Sequence, residues 1–326
     1  MNIVVGFDTS CYTTSVAAAD ERGRIIGSCR KLLPVPIGQR GLRQSEAVFA
    51  HTRQIPQMAE ALAETLAKEN HRICAVAASS TPISTEDSYM PVFVAGLSYA
   101  RTLAAMLKVP CYAFSHQQGH IAAGQIGGVE MSSRFIALHL SGGTTDMLLS
   151  EDGRLTSIGG SLDLHAGQLV DRVGVAMGCS FPAGPALEKL ALACGEKPRA
   201  LLPVSMAGED LHCHLSGAEA QCVRLLQKNE LSKEEIALEV FDFLARTISR
   251  LLLAGSKREN SRQALVVGGV ASSALLRNMV EARVQKVGSP LKVIFGKPEY
   301  SADNAAGIAL LGTRKHFALS ESVEGE

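Results

Sequence analysis

Two histidines four residues apart, in the run His116-Gln117-Gln118-Gly119-His120, are the residues best spaced for chemistry in this 326-residue chain. On a helix, positions i and i+4 share a face, so both imidazoles can reach one metal ion, and a carboxylate from elsewhere would complete a facial set. The spacing matches the zinc-peptidase motif His-Glu-x-x-His, but Gln117 stands in the place of the general base and cannot take a proton. The run reads as a metal site or as a polar helix face, and not as a peptidase. Asp303-Asn304 opens the last helical pattern, where Asp suits an N-cap, a role that does not exclude metal ligation. His212-Cys213-His214 puts two imidazoles on one side of a strand but lacks a partner set.

Three loops at strand ends could meet a nucleotide. Asp8-Thr9-Ser10 follows an apolar strand, and there Asp8 could orient a cation while Ser10 offers a hydroxyl to phosphate. Ser141-Gly142-Gly143-Thr144-Thr145 ends one strand and starts the next, with two glycines that let backbone approach a phosphate. Gly268-Gly269-Val270-Ala271 leads from a strand into a helix N-terminus, which favours an anion. Each is an ordinary tight turn alone, and three together point to nucleotide binding.

The elements that must carry these loops recur in the same order. Ile3–Phe7, Thr13–Ala19 and Arg24–Lys31 read as a β-meander. A helical stretch over 45–70 broken at Pro56, a short strand, a second helix and another strand follow. The pattern restarts at Phe135 with a second meander and again alternates helices with strands. Two α/β lobes are the economical reading. Residues 1–118 with 300–326 would form the first, and 119–299 the second with a helical insertion, leaving a nucleotide cleft between them.

Composition narrows the class. Lys plus Arg equals Asp plus Glu at 32 each, so no broad attraction to nucleic acid is expected, although a local basic patch stays open. The eight Cys form no Cys-x-x-Cys pair and read as reduced thiols. No export signal and no apolar run near the ~20 residues that span a bilayer is visible, which makes the expected location cytoplasmic, with no membrane contact.

Taken in order, these motifs resemble the TsaD/Gcp family, proteins once called glycoprotein endopeptidases and now associated with threonylcarbamoyl transfer to adenosine 37 of tRNA. VGFDTS, HQQGH, SGGTT, LDLHAGQLVDRVGVAMG, FPAGPALEKLA, LSGAE, VVGGVASSALLR and YSADNAAGIA each look like a family segment, over nearly the whole chain. The resemblance implies a two-lobed actin/hexokinase/Hsp70-like (ribonuclease H-like) α/β fold. It implies His116, His120 and Asp303 as ligands of one divalent metal ion per subunit, iron first and zinc second. It also implies an adenylate or ATP held by Leu140, Ser141, Gly142, Gly143 and Thr144, with Asp171, Gly184 and Ser273 around ribose and base. The implied activity is an N6-L-threonylcarbamoyladenine synthase-like acyl transfer from threonylcarbamoyl-AMP to tRNA. The implied partners are tRNA, a paralogous actin-like protein and a P-loop ATPase. Departures lie around the substrate: Thr144 stands for His, Leu164 for Asp, Gln168 for Glu, Glu219 for Lys and Ser273 for Asn. They leave two alternatives to the transferase: a non-catalytic or regulatory paralogue that binds nucleotide and a partner, and an ATP-dependent small-molecule kinase on the same fold.

Overall fold

Along the first strand, Ile3, Val5 and Phe7 alternate with Val4, Gly6 and Asp8, and the two sets meet different helices. The computed structural model describes residues 1–10, 12–34, 42–67, 69–85, 87–207, 211–302 and 305–324, with side chains to residue 318. The chain divides into two units, Met1–Val129 with Ala302–Glu326, and Glu130–Ser301. Among the described residues no helix is long and apolar enough to cross a membrane.

In the first unit, β1 (Asn2–Thr9), β2 (Thr13–Asp20) and β3 (Ile25–Leu32) form the antiparallel meander, and β4 (Arg72–Thr81) and β5 (Cys111–Ser115) extend it in parallel, in the order β3-β2-β1-β4-β5. Helices α1 (Gln44–Leu66) and α2 (Pro91–Leu107) place Ile55, Leu62, Ala95, Ala100 and Ala104 against Ile3, Val5 and Phe7. Each such large apolar side chain removed from water contributes ~1.5–3 kcal/mol. The opposite face takes α10 (Ala306–Glu324), whose Ile308 packs on Val4, Ala75 and Ala77. Gly6 lets that helix close in, since a Cβ there would lie 2.5 Å from Ala309 N.

The expected break at Pro56 does not occur, and α1 is continuous through it. Proline removes the N–H that would bond to Thr52 O. The Tyr99 hydroxyl on α2 donates to that carbonyl instead, at 3.2 Å.

The second unit repeats the plan. β6 (Arg134–Leu140), β7 (Thr145–Glu151) and β8 (Arg154–Ser161) form the meander, and β11 (Gln263–Val267) and β12 (Lys292–Phe295) lie parallel to β6 on its free side. Short strands β9 (Ser205–Met206) and β10 (Leu211–His214) extend the other edge, giving β12-β11-β6-β7-β8-β10-β9. Helices α4 (Ala166–Ala176), α5 (Gly184–Ala193), α6 (Ser216–Lys228), α7 (Lys233–Arg258) and α8 (Ala274–Lys286) supply a core built on Ile136, Leu138 and Leu140. A 3-10 turn (Gly269–Ser272) precedes α8, and a single turn α9 (Pro298–Ser301) follows β12. The remaining helix, α3 (His116–Ala123), lies wholly in the first unit, because the chain divides after Val129.

Candidate metal and nucleotide sites

α3 begins where the sequence caps it. Ser115 Oγ accepts from Gln118 N at 3.1 Å, and Gln118 Oε1 accepts from Ser115 N at 2.8 Å, a reciprocal cap worth ~1 kcal/mol. Gln118 therefore serves the helix. α3 is seated on α10 through glycine, since a Cβ on Gly307 would lie 1.9 Å from Gly119 O.

This seating aims both histidines. His116 Nδ1 lies 2.9 Å from Asp8 Oδ1 on β1, and Asp8 is fully buried. A carboxylate only accepts, so Nδ1 carries the proton and Nε2 presents its lone pair. His120 Nε2 lies 3.1 Å from that Nε2. Two nitrogens each bound at ~2.0–2.1 Å to one ion and spaced this way subtend about 100°, which fits a single metal. Asp8 Oδ2 is buried with no hydrogen-bond partner, so the carboxylate keeps a second electron-rich atom beside the pair. Carboxylates in this position orient imidazole ligands and raise their basicity. The donor set thus fits a transition metal. Asp303, the expected third ligand, lies outside the described residues, and among the described residues no group of three His, Cys, Asp or Glu is gathered for an ion.

The rest of the Asp8-Thr9-Ser10 strand end is engaged inside the first unit. Thr9 Oγ1 donates to Val92 O at 2.8 Å and accepts from Gly96 N at 3.2 Å, tying β1 to α2. The Ser10 carbonyl lies 2.7 Å from His51 Nε2, whose Nδ1 is 2.7 Å from Thr14 Oγ1, itself 2.8 Å from Gln54 Oε1. Burial lowers the His51 pKa, against the opposing Ser10 bond and Asp8 charge. Sequence reading missed His51. Its signal was helical periodicity, for Ala47, His51, Gln54 and Ile55 share the buried face of α1.

In the second unit the Ser-Gly-Gly-Thr loop is a turn closed by its own hydrogen bonds. Ser141 Oγ accepts from Gly143 N at 3.2 Å and Thr144 N at 3.0 Å, and Thr144 Oγ1 bridges to Ser141 Oγ at 2.9 Å and His139 Nδ1 at 3.1 Å. Gly142 and Gly143 have open space where side chains would be. The α4 N-terminus abuts the loop, with Gly167 N donating to Ser141 O at 3.0 Å, and a Cβ on Gly167 would lie 2.7 Å from Gly142 N. A helix N-terminus at an open turn favours a bound anion there. Leu140, expected at the nucleotide, is fully buried in the core, backbone included, and its strand pairs with Thr145, so it is not exposed to a ligand.

Asp171 on α4 accepts from Ala183 N at 2.7 Å, just before Gly184 opens α5, and burial raises its pKa against that bond. Ser273 is the N-cap of α8: its hydroxyl accepts from Leu276 N at 3.1 Å and donates to Glu188 Oε1 at 2.8 Å. Glu188 Oε1 also accepts from Leu275 N at 2.9 Å, so a carboxylate of this chain already sits on that helix end. Glu188 lies inside the quoted segment FPAGPALEKLA and His139 two residues before SGGTT, but neither was singled out. His212 and His214 lie on β10, with Cys213 buried between them and its thiol pushed up to about 11 by burial.

Known proteins give the context. A family profile described as "TsaD: tRNA N6-adenosine threonylcarbamoyltransferase" matches residues 38–310. A tRNA N6-adenosine threonylcarbamoyltransferase of Thiobacillus denitrificans is 28% identical over 327 residues, covering 98% of this chain and 93% of that protein. Among solved structures, component A of (R)-2-hydroxyglutaryl-CoA dehydratase from Acidaminococcus fermentans superposes with TM-score 0.56 at 12% identity, over 97% of this chain and 99% of that one. A ROK-family glucokinase from Streptomyces griseus gives TM-score 0.54 at 14% identity, over 96% and 99%. These likenesses establish the actin/hexokinase-like fold, in which the ribonuclease H-like sheet order occurs twice.

Proposed function

The chain belongs to the TsaD family of tRNA N6-adenosine threonylcarbamoyltransferases, and from that premise we propose that it transfers threonylcarbamoyl from threonylcarbamoyl-AMP to N6 of adenosine 37 in tRNA. The observation that carries this reading is the convergence of His116 and His120 Nε2, 3.1 Å apart, with Asp8 holding the first ring. His116 and His120, with Asp303, would hold one divalent ion, iron or zinc. When bound, the ion would act as a Lewis acid on the carbamoyl or phosphate oxygens.

The chain's own residues supply position and charge. Ser141, Gly142, Gly143 and Thr144 would hold the adenylate phosphate at the open turn, beside the α4 N-terminus. Asp171, Gly184 and Ser273 would surround ribose and base. The amine of adenosine attacks the carbamoyl carbon, the bond from that carbon to the phosphate oxygen breaks, AMP leaves and the nitrogen loses one proton. Holding the two substrates together replaces a bimolecular encounter, a gain that reaches several kcal/mol. A paralogous actin-like protein and a P-loop ATPase would be the protein partners.

The test is nucleoside mass spectrometry of a tRNA transcript incubated with the protein, threonylcarbamoyl-AMP and those partners. Threonylcarbamoyladenosine should form, and His120→Ala should abolish it. Metal- and nucleotide-loaded protein that yields no product removes the transferase reading and favours the nucleotide-binding paralogue.

A further inference from the structure

Net neutrality hides a segregation of charge within the second unit. Residues 246–301 carry ten Lys and Arg against three Asp and Glu, whereas residues 130–245 carry nine against sixteen. The fold gathers much of the excess at one place. β11 and β12 run parallel, so both start at the same end of the sheet, and α7 and α8, which precede them, finish there. Lys257 lies in the last turn of α7, Arg262 just before β11, Lys286 at the end of α8 and Lys292 at the start of β12. Arg262 and Lys292 are adjacent, with Lys292 N donating to Arg262 O at 2.9 Å. All four are exposed, and none forms an ion pair among the described residues.

Three carboxylates near the cluster already hold arginines, whereas Glu130 (just before β6), Asp152 and Glu281 are exposed and form no ion pair among the described residues. Glu259 holds Arg134 and Arg258, and Glu151 also holds Arg134. Asp242 is buried beneath Arg246 and Arg283. Asp152 stands on the β7–β8 turn and Glu281 on α8. Cations in the last turns of α7 and α8 offset the helix dipoles, which accounts for Lys257 and Lys286. That explanation does not reach Arg262 and Lys292, which precede or begin strands.

Position decides what the cluster can serve. β6 is parallel to β11, so the Ser141 loop lies at the far end of the sheet, a five-residue strand or about 17 Å away. A mononucleotide on that loop cannot reach the cluster. A polyanion can.

We infer that the basic end formed by Lys257, Arg262, Lys286 and Lys292 is a docking surface for the phosphodiester backbone of the RNA substrate, away from the reacting base. This rests on the tRNA reading of the function. Contacts of this kind position the substrate without reading its sequence.

The experiment measures binding of a tRNA transcript to the full chain and to a variant with all four cations changed to Gln, from 50 to 200 mM salt, with circular dichroism confirming the fold. The expected result is affinity reduced about tenfold or more at 100 mM salt, with the slope of log K against log salt shallower by about 3, at roughly 0.7–0.9 for each phosphate that the variant no longer neutralises. A folded variant with unchanged affinity and slope overturns the surface and leaves the tRNA reading standing. Loss of tRNA binding in the variant, from a wild type that binds tRNA but forms no threonylcarbamoyladenosine, supports the surface and removes the reading. A variant that keeps tRNA affinity but loses binding to polyglutamate assigns the face to an acidic protein, which also overturns the proposal.

Discussion

At the scale of single residues, Asp8 decides how the histidine pair behaves. Its carboxylate fixes the His116 tautomer from beneath, at 2.9 Å from Nδ1. Asp8→Ala should weaken metal binding about 10–100-fold, the usual cost of losing a partner behind a ligand, as read by competition with a chromophoric chelator. An unchanged affinity would mean that Asp8 does not support a metal through His116. Asp163 gives an independent prediction in the second unit. Burial alone would raise its pKa. The Ser216 hydroxyl and the N–H groups of Leu215, Leu164 and Ser216 outweigh burial and hold it at about 2. A carboxylate depressed on folding contributes stability that is complete above its unfolded pKa of ~3.9 and is lost as pH falls through about 2. Urea melts between those values should show a steeper acid loss for wild type than for Asp163→Asn. Parallel pH profiles would rule this role out.

At the scale of elements, two seams that sequence patterns do not express hold the first unit. One joins α1 to α2 through the Tyr99 bond to Thr52 O, the carbonyl left without its usual donor by Pro56. Tyr99→Phe should cost ~0.5–1.5 kcal/mol in chemical denaturation. In a Pro56→Ala background the restored helix N–H should make the same change nearly neutral. Equal costs in both backgrounds would deny the exchange. The other seam joins α3 to α10 at Gly119 and Gly307. Gly307→Ala would drive a Cβ to 1.9 Å from Gly119 O, so the helices must part. Overpacking of this kind costs typically 1–3 kcal/mol. Here it should also weaken metal binding, because α3 carries both proposed ligands, His116 and His120. The sequence announces α3 by its cap and the histidines by their spacing. It does not announce the α1 path through Pro56, because periodicity reports which face is buried and not which distant hydroxyl satisfies a carbonyl. Periodicity places His51 on the buried face of α1 but does not show its partners, Ser10 at the end of β1 and Thr14 on β2.

At the scale of the whole molecule, the repeated order of meander and parallel strands was legible although the similarity between the halves is weak, since β3-β2-β1-β4-β5 and β8-β7-β6-β11-β12 are one topology. The strand-end loops followed from it. What each loop side chain does was not legible, because it depends on neighbours far along the chain, as Ser273 does on Glu188. Each unit encloses its own apolar core, one around Val5 and Phe7 and the other around Leu138 and Leu140. The proposed metal ligands His116 and His120 and the proposed phosphate loop at Ser141 therefore belong to separately packed units. A ligand at 100 times its Kd stabilises the state that binds it by ~2.7 kcal/mol. Metal alone should then slow hydrogen exchange in β1, α3 and α10 and leave the second unit near its basal rates. A non-hydrolysable adenylate alone should protect β6, β7 and the start of α4. If metal protected the Ser141 loop as strongly as α3, the ion would not belong to the first unit, and the assignment of His116 and His120 as its ligands would fall with it.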